Sequence, residues 1–446
     1  MKKFLMIVLG LTGLAMNAQQ KWSLRDCVDY AIKHNLQVIQ NEYSKKNQEL
    51  NLKIAKNNYL PSVSANMSNS VSFGQASLGT GSIRNDRFSN SANIGADILV
   101  YNNGRLEKNY RKVQYDVEAS QYDIETIKND ISLQIAQQYL TTLLNKEIVK
   151  ISKSASENAK KQYDRAKITT EVGTTAQTIL AEAEAAWARE RQNVKTAEVN
   201  VERSLFALAQ LLQLENYKDF DVENVEVSGD LQPQLASMED VLKTAYETQP
   251  QVKAAESRIK SAEAQTEVTK TAFYPTVSAN IGLGSFYNNL LNTNNVGSDL
   301  YYIAEKGFFS QYKDNFGQQG GISLNVPIFN KGITKLQVEQ SKVNESIAKN
   351  NLAQQKQAVK QNVQKAQFDV DANYEIYLAS LETQKSTKLS LDFAEKSYEA
   401  GRTTIYDLNV ARNNYANAQG SVEQAKYNYI FSLKLLNFYS GIPLSL

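Results

Sequence analysis

The sequence predicts an α+β membrane protein in which four β-strands per chain contribute to a barrel wall, continued by a long antiparallel coiled coil of α-helices, the whole built from two internal repeats. Three observations predict it. Four segments alternate apolar and polar residues with a period of two. Two stretches flanked by glycines 69 positions apart, Gly104 to Gly173 and Gly332 to Gly401, contain no proline. Pieces of the first half recur in the second half in the same order.

The first 18 residues, MKKFLMIVLGLTGLAMNA, place two lysines before an apolar run that ends at a small residue, Ala18. That is the layout of a secretory signal peptide, expected over 1–18, and the run is too short to span a bilayer. No later window approaches 18 consecutive apolar residues, so any membrane role must use strands. Without Lys2 and Lys3 the chain carries 47 basic and 47 acidic residues, a balance that gives no reason to expect nucleic acid as a partner. A single cysteine, Cys27, excludes an intramolecular disulfide framework, and its place nine positions beyond Ala18 does not suit lipidation.

The repeat carries the domain organisation. SLRDCVDYAIKHNLQV from Ser23 matches SMEDVLKTAYETQPQV from Ser237 at five of 16 positions, and KNNYLPSVSAN from Lys56 matches KTAFYPTVSAN from Lys270 at six of 11, both at an offset of 214. VYNNGR at Val100 meets IFNKGI at Ile328, and EVGTTAQTIL at Glu171 meets EAGRTTIYDL at Glu399, at an offset of 228. The second copy has therefore gained 14 residues between Asn280 and Ile328, read as an enlarged loop over about 285–319. The first repeat is expected over 19–230, with strands about 62–74 and 91–101, a long helix about 105–172, a return helix about 174–213 and a belt segment about 215–230. The second is expected over 231–446, with strands about 276–286 and 320–329, a long helix about 333–400 and a return helix about 402–440.

In the strands, Val63, Ala65, Met67, Val71 and Phe73 form one apolar row. Ile94, Ala96, Ile98 and Val100 form a second; Val277, Ala279, Ile281 and Leu283 a third; Ile322, Leu324, Val326 and Ile328 a fourth. Serine and asparagine dominate the other parity, and the only charge in these segments, Asp97, lies there. Lipid outside and water inside produce this pattern, since a charge on the lipid face at the bilayer midplane costs roughly 2–4 kcal/mol. A soluble sandwich is the plainer alternative.

The helical stretches are rich in Ala, Gln, Lys, Glu and Leu, and at 1.5 Å per residue they reach on the order of 100 Å. Positions such as Ile135, Ala136, Tyr139, Leu143, Ile148 and Ile151 recur every three or four residues, as in a coiled-coil seam. Pro61 and Pro275 then end the shorter helices and start strands, because proline disfavours helical conformation in the residue before it. Four strands cannot close a barrel, and an open sheet in lipid leaves two edges of unpaired backbone, each group costing several kcal/mol, so the chain must oligomerise. A dimer supplies eight strands and a plugged interior, a trimer twelve and an open lumen.

For an enzyme the sequence offers nothing. His34 is the only histidine, so with Cys27 it makes neither a metal cluster nor a nucleophile pair, and no glycine-rich phosphate loop follows a strand. No cofactor and no metal site is expected. The competing class is a non-channel periplasmic coiled-coil scaffold or adaptor, which predicts a water-soluble protein without the four period-two segments.

YLPSVSAN and FYPTVSAN, the VYNNG and IFNKG elements before the long helices, and the turn YEAGRTTIYDLNVARNNYANAQ from Tyr398 resemble the TolC-like outer membrane efflux proteins. The resemblance covers both repeats in order. It implies a homotrimer with a 12-stranded barrel in the outer membrane, a helical tunnel extending into the periplasm, and a belt of mixed structure that includes residues near 215 to 236. It also implies a periplasmic adaptor and an inner-membrane transporter as partners in efflux or type I secretion, with the adaptor meeting the tip turns, here Gly173, Thr174, Thr175, Gly401, Thr403 and Thr404.

The resemblance further implies a periplasmic gate of tyrosine, arginine and aspartates near the second turn. Tyr398 and Asp407 match; Arg402 stands one residue early, where Thr403 occupies the family's arginine position. Ile179 and Val410 replace two of the family's acids, so a salt-bridge latch is expected only in reduced form. Asp97 is a candidate lumen charge. The loop aromatics Tyr301, Tyr302, Phe308, Phe309 and Tyr312 are placed either at the channel mouth, in an interfacial belt, or in packing within the loop.

Overall fold

Proline and glycine punctuate the chain where helix gives way to strand and back again. The computed structural model describes residues 21–78, 81–225, 237–291 and 306–442, so the leader and Tyr301 and Tyr302 lie outside the described residues. Two units result: one drawn from Met1–Tyr43, Tyr122–Lys253 and Ala353–Leu446, the other from Ser44–Gln121 and Ala254–Leu352.

The second unit holds the sheet. Helix α2 (Leu36–Asn57) ends before Pro61, and β1 (Ser62–Ser72) follows at once. A small hairpin, β2 (Gln75–Leu78) with β3 (Gly81–Arg84), leads to β4 (Arg87–Tyr101). In the second repeat α6 (Pro250–Lys270) passes through a 3₁₀ turn, Thr271–Phe273, into β5 (Thr276–Leu290). The enlarged loop contains a short helix, α7 (Phe308–Asp314), before β6 (Gly317–Asn325). The strands form one antiparallel sheet in the order β1-β4-β5-β6, leaving β1 and β6 as its edges. Two strand details depart from simple periodicity. A bulge between Leu99 and Tyr101 sets Tyr101 opposite Val277 and leaves Val100 without a partner, so Tyr101 takes the row position expected of Val100. Strand β6 stops at Asn325, before Pro327 removes a backbone donor, so Val326 and Ile328 lie beyond it.

Two long helices, α3 (Arg105–Glu171) and α8 (Ile333–Glu399), have 67 residues each, uninterrupted because neither contains glycine or proline. Each starts after two consecutive left-handed residues, Asn103 and Gly104 before α3, Lys331 and Gly332 before α8.

The first unit holds α1 (Leu24–His34), α4 (Gln177–Leu212), α5 (Met238–Thr248) and α9 (Ile405–Tyr439) with the adjoining stretches of the long helices. Ser23 and Ser237, one offset apart, each accept a hydrogen bond from the backbone N–H of an aspartate three residues on, Asp26 and Asp240. The core joins Cys27, Ala31 and Val38 to Ile135, Tyr139 and Leu143 of α3 and to Leu208 and Leu212 of α4. Burial pushes the Cys27 thiol up to about 12, which keeps it inert. A short stretch after α4 closes this core. Trp22 bridges in parallel to Val222, with Trp22 N–H donating to Asp221 O at 3.0 Å and Glu223 N–H donating to Trp22 O at 2.9 Å. The Tyr139 hydroxyl reaches Trp22 O at 3.2 Å and Glu223 O at 3.0 Å, and Lys146 pairs with Asp221 at 2.6 Å.

Candidate functional site

The register aligns the apolar rows of all four strands on one face. Val63 stands opposite Ala96, Ala96 opposite Ile281, and Ile281 opposite Gly320; one step along, Ala65, Ile94 and Leu283 align, and Ile98, Ala279 and Ile322 align below. Among the described residues nothing covers the middle of this face, where Val63 is 70% exposed, Ile281 67% and Ile322 80%; α7 packs only over its far end, at Ser285 and Tyr287. A contiguous apolar surface of this kind marks contact with lipid or with another protein.

The opposite face is hydroxyl and amide. The Ser62 hydroxyl donates to Asp97 at 2.6 Å, and Ser68 and Ser91 share a hydrogen bond at 2.8 Å. Asn90 donates to Asn69 on the apolar side, past Met67 and Ile94. Asp97, exposed and facing Asn280 in the register, is the only charge in the middle of the sheet.

Aromatic side chains flank the apolar rows at both ends. Tyr59, Tyr101, Phe273 and Tyr274 are exposed where strands meet helices. At the other end Phe88 and Tyr287 make an edge contact at 6.2 Å, and Phe308 of α7 packs on Tyr287 at 5.1 Å and on Tyr312 at 4.6 Å. The Tyr312 hydroxyl donates to Asn90, and Ser285 donates to Tyr312 O at 2.7 Å. Of the described loop aromatics, Phe308 and Tyr312 thus pack against the strands, while Phe309 is 84% exposed. Helix α7 also finishes an edge. Beyond the last β5–β6 pair, Gln311 donates to Asn288 O at 2.9 Å and accepts from Asn288 N at 3.1 Å, replacing the strand that is missing there.

The helical tips are the second candidate region. Gly173 and Gly401 have φ of +77° and +69°, and an added Cβ would meet nothing within 4 Å, so glycine is required by backbone conformation and not by space. Both turns close alike: Thr174 N–H donates to Thr169 O at 2.9 Å, and Arg402 N–H to Ser397 O at 2.8 Å. The following helices start differently. Thr404 caps α9 and forms a reciprocal box with Asp407, whose carboxylate accepts from Thr404 Oγ1 at 2.7 Å and from Thr403 Oγ1 at 3.0 Å. At the equivalent places in the first repeat stand Ala176 and Ile179, and α4 has no side-chain cap. There the turn is held by threonines, with Thr175 Oγ1 at 2.9 Å from Thr169 Oγ1 and 3.0 Å from Thr170 Oγ1.

The structure therefore brings Thr403, Thr404 and Asp407 together and joins neither Tyr398 nor Arg402 to that aspartate; Arg402 is exposed and Tyr398 partly so. The hydroxyls of Thr404 and Thr403 hold the Asp407 carboxyl below its usual range. A depressed carboxyl stabilises the fold at pH above its unfolded value, near 3.8, and that contribution is lost as pH falls through the lower folded value. Hydrogen exchange in the first turn of α9, corrected for intrinsic rates, is expected to rise in this acid window in the wild type and to show no such step in Asp407→Ala. Thr404→Ala is expected to destabilise the α9 start by about 1 kcal/mol, read as loss of protection in the same turn at neutral pH.

One pair escaped the sequence reading. Arg412 of α9 donates to Glu395 of α8 at 3.0 Å, while its Nη1 is buried without a hydrogen-bond partner among the described residues. The guanidinium borders a cavity of about 600 Å³ lined by α3, α4, α8 and α9, with small side chains such as Ala155, Ala159 and Ala186 on its wall. Folding the sequence about the Gly401–Thr404 turn sets 395 opposite 412, and that operation is the signal that finds them.

A family model described as "Outer membrane efflux protein" matches residues 28–213 and 241–441, nearly the whole described chain. The chain belongs to the outer membrane efflux protein family. Among curated relatives, Outer membrane protein TolC of Escherichia coli K12 is 25% identical over 319 residues, which is 71% of this chain and 62% of that protein. The matched part thus falls short of two thirds of that relative. In fold, a membrane protein from Pseudomonas aeruginosa is similar with a TM-score of 0.75 at 15% identity, covering 96% of this chain and 91% of that one. The Campylobacter jejuni CmeC outer membrane channel gives 0.72 at 21% identity, covering 94% and 85%. The fold class is that of these structures, mostly helical with one four-stranded antiparallel sheet. Family membership assigns the chain to the outer membrane.

Proposed function

We propose that this chain is the outer membrane channel subunit of a tripartite efflux or type I secretion system, a passive exit duct fed by an inner-membrane transporter through a periplasmic adaptor. The observation that carries the reading is the exposed sheet face on which the apolar rows of four strands fall into register, with both sheet edges open. From Val277 to Leu283 the apolar row climbs six residues, and counted on past Ser285 to the aromatic Tyr287 it spans ten, which at about 3.3 Å each and a strand tilt of about 40° is about 25 Å, the height of a barrel's lipid belt. The aromatics at both ends of the rows suit the two membrane interfaces.

Both open edges require partners, and three copies supply the twelve strands of a barrel with a water-filled lumen lined by serine, asparagine and Asp97. The 67-residue helices continue that lumen as a periplasmic tunnel. The tip turns at Gly173 to Thr175 and at Gly401, Thr403 and Thr404 are the surfaces offered to the adaptor. Tyr398 and Arg402 line the constriction, and Asp407 shapes it by fixing the start of α9. No ion pair among the described residues joins Tyr398, Arg402 and Asp407, so the adaptor has no salt bridge to break there in shifting the gate.

Outer membrane fractionation followed by planar bilayer recording tests the proposal. The expected result is a trimer in the outer membrane fraction that gives discrete conductance steps. A soluble periplasmic protein that leaves the bilayer silent would overturn it.

A further inference from the structure

The antiparallel order brings four strand–helix junctions to one end of the sheet: the starts of β1 and β5 and the ends of β4 and β6. The 40 residues that flank those junctions on the helical side, 53–61, 102–112, 266–275 and 326–335, contain nine basic residues and two acidic ones. The sequence between the strand ends that meet at the opposite end, 73–86 and 291–316, is also 40 residues long and contains three basic residues and four acidic ones. In a chain whose positive and negative charges nearly cancel, one rim of the sheet is thus strongly positive.

The placement matches a membrane surface. Tyr59, Tyr101, Phe273 and Tyr274 are exposed at the junctions themselves, directly below the apolar rows, and the cations begin within a turn or two of helix beyond them. Lys56, Arg105, Lys331 and Lys335 are exposed and form no salt bridge among the described residues. Lys108 and Lys270 share the single carboxylate of Glu267, at 3.7 and 2.5 Å. Apolar wall, aromatic band and excess cation therefore follow one another along the same unit, the order of hydrocarbon, interface and headgroup in a bilayer.

We infer that this rim is a collar that binds the phosphates of anionic phospholipids in the periplasmic leaflet, an inference that rests on the reading of the apolar face as lipid-facing. Lys56, Arg105, Lys331 and Lys335 provide the free charges, and a cation near the surface of an anionic leaflet is attracted to it within about a Debye length. The lipid helps set the vertical position of the barrel, since cations at the headgroups resist movement into the hydrocarbon.

The test reconstitutes the purified full assembly into nanodiscs of mixed phosphatidylcholine and phosphatidylglycerol and measures the lipids retained by native mass spectrometry. Wild type is expected to enrich phosphatidylglycerol about threefold or more over the bulk mixture, the effect falling with salt. The quadruple variant K56Q, R105Q, K331Q and K335Q is expected to retain the bulk ratio. A control that neutralises three exposed lysines elsewhere, K161Q, K167Q and K385Q, is expected to keep the enrichment. Insertion without enrichment, or equal enrichment in wild type and the quadruple variant, overturns the collar and leaves the barrel reading standing. Failure of the wild type to enter the discs overturns both.

Discussion

Ile281→Arg is expected to abolish accumulation of the assembled oligomer in the outer membrane, whereas Asn280→Arg, one residue earlier, leaves assembly intact. Ile281 lies mid-row, opposite Ala96 on one side and Gly320 on the other, and Asn280 is on the hydroxyl and amide face opposite Asp97. A midplane arginine on a lipid face costs about 2–4 kcal/mol, and the proposed trimer would incur it three times, a total of about 6–12 kcal/mol. The arginine on the other face meets water, and its consequence is a change in ion selectivity. Quantifying the heat-modifiable oligomer in outer membrane fractions checks both. Equal loss in the two variants would mean that the faces are not distinguished by lipid and water.

The second large effect is expected at Tyr139. It is completely buried in the first unit, packed among Ile135, Leu143 and Leu208, and its hydroxyl holds the carbonyls of Trp22 and Glu223. Tyr139→Ala removes an aromatic side chain from a dry core and should cost about 3–5 kcal/mol. Tyr139→Phe keeps the ring and removes the hydroxyl from Glu223 O and Trp22 O, of which Trp22 O keeps the Glu223 N–H, for about 1 kcal/mol. Limited proteolysis should locate the damage: cleavage near 213–225 is expected to accelerate strongly in Tyr139→Ala and modestly in Tyr139→Phe, with the Lys146–Asp221 pair loosened in both.

The strands were legible because their two faces meet different surroundings. Alternation such as Val277-Ser278-Ala279-Asn280-Ile281 states which side is apolar without reference to any neighbour, and the repeat offset then places the equivalent strands. The long helices were legible for a different reason: 67 residues without a breaker leave the backbone one regular option. The bulge at Val100 was hidden, because a one-residue slip is decided by the partner strand and not by the strand's own pattern. Helix α7 was hidden too, since its role is to satisfy Asn288 on the exposed edge of β5, a need that exists only once β6 is known to stop short. At the tips, the glycines announced the turns, but the capture of Asp407 by Thr403 and Thr404 depends on hydroxyls that sequence spacing reads equally well as free. Glu395 and Arg412 are 17 residues apart and meet only because the hairpin folds between them.

Spin labels placed one at a time along residues 277–284, in a background where the lone and buried cysteine is replaced by Cys27→Ala, test the central claim most directly. In reconstituted liposomes, collision with oxygen should peak at 277, 279, 281 and 283, and collision with a water-soluble nickel chelate at 278, 280, 282 and 284. Equal chelate access at every position would contradict the account, since the apolar face would then be touching water and not lipid.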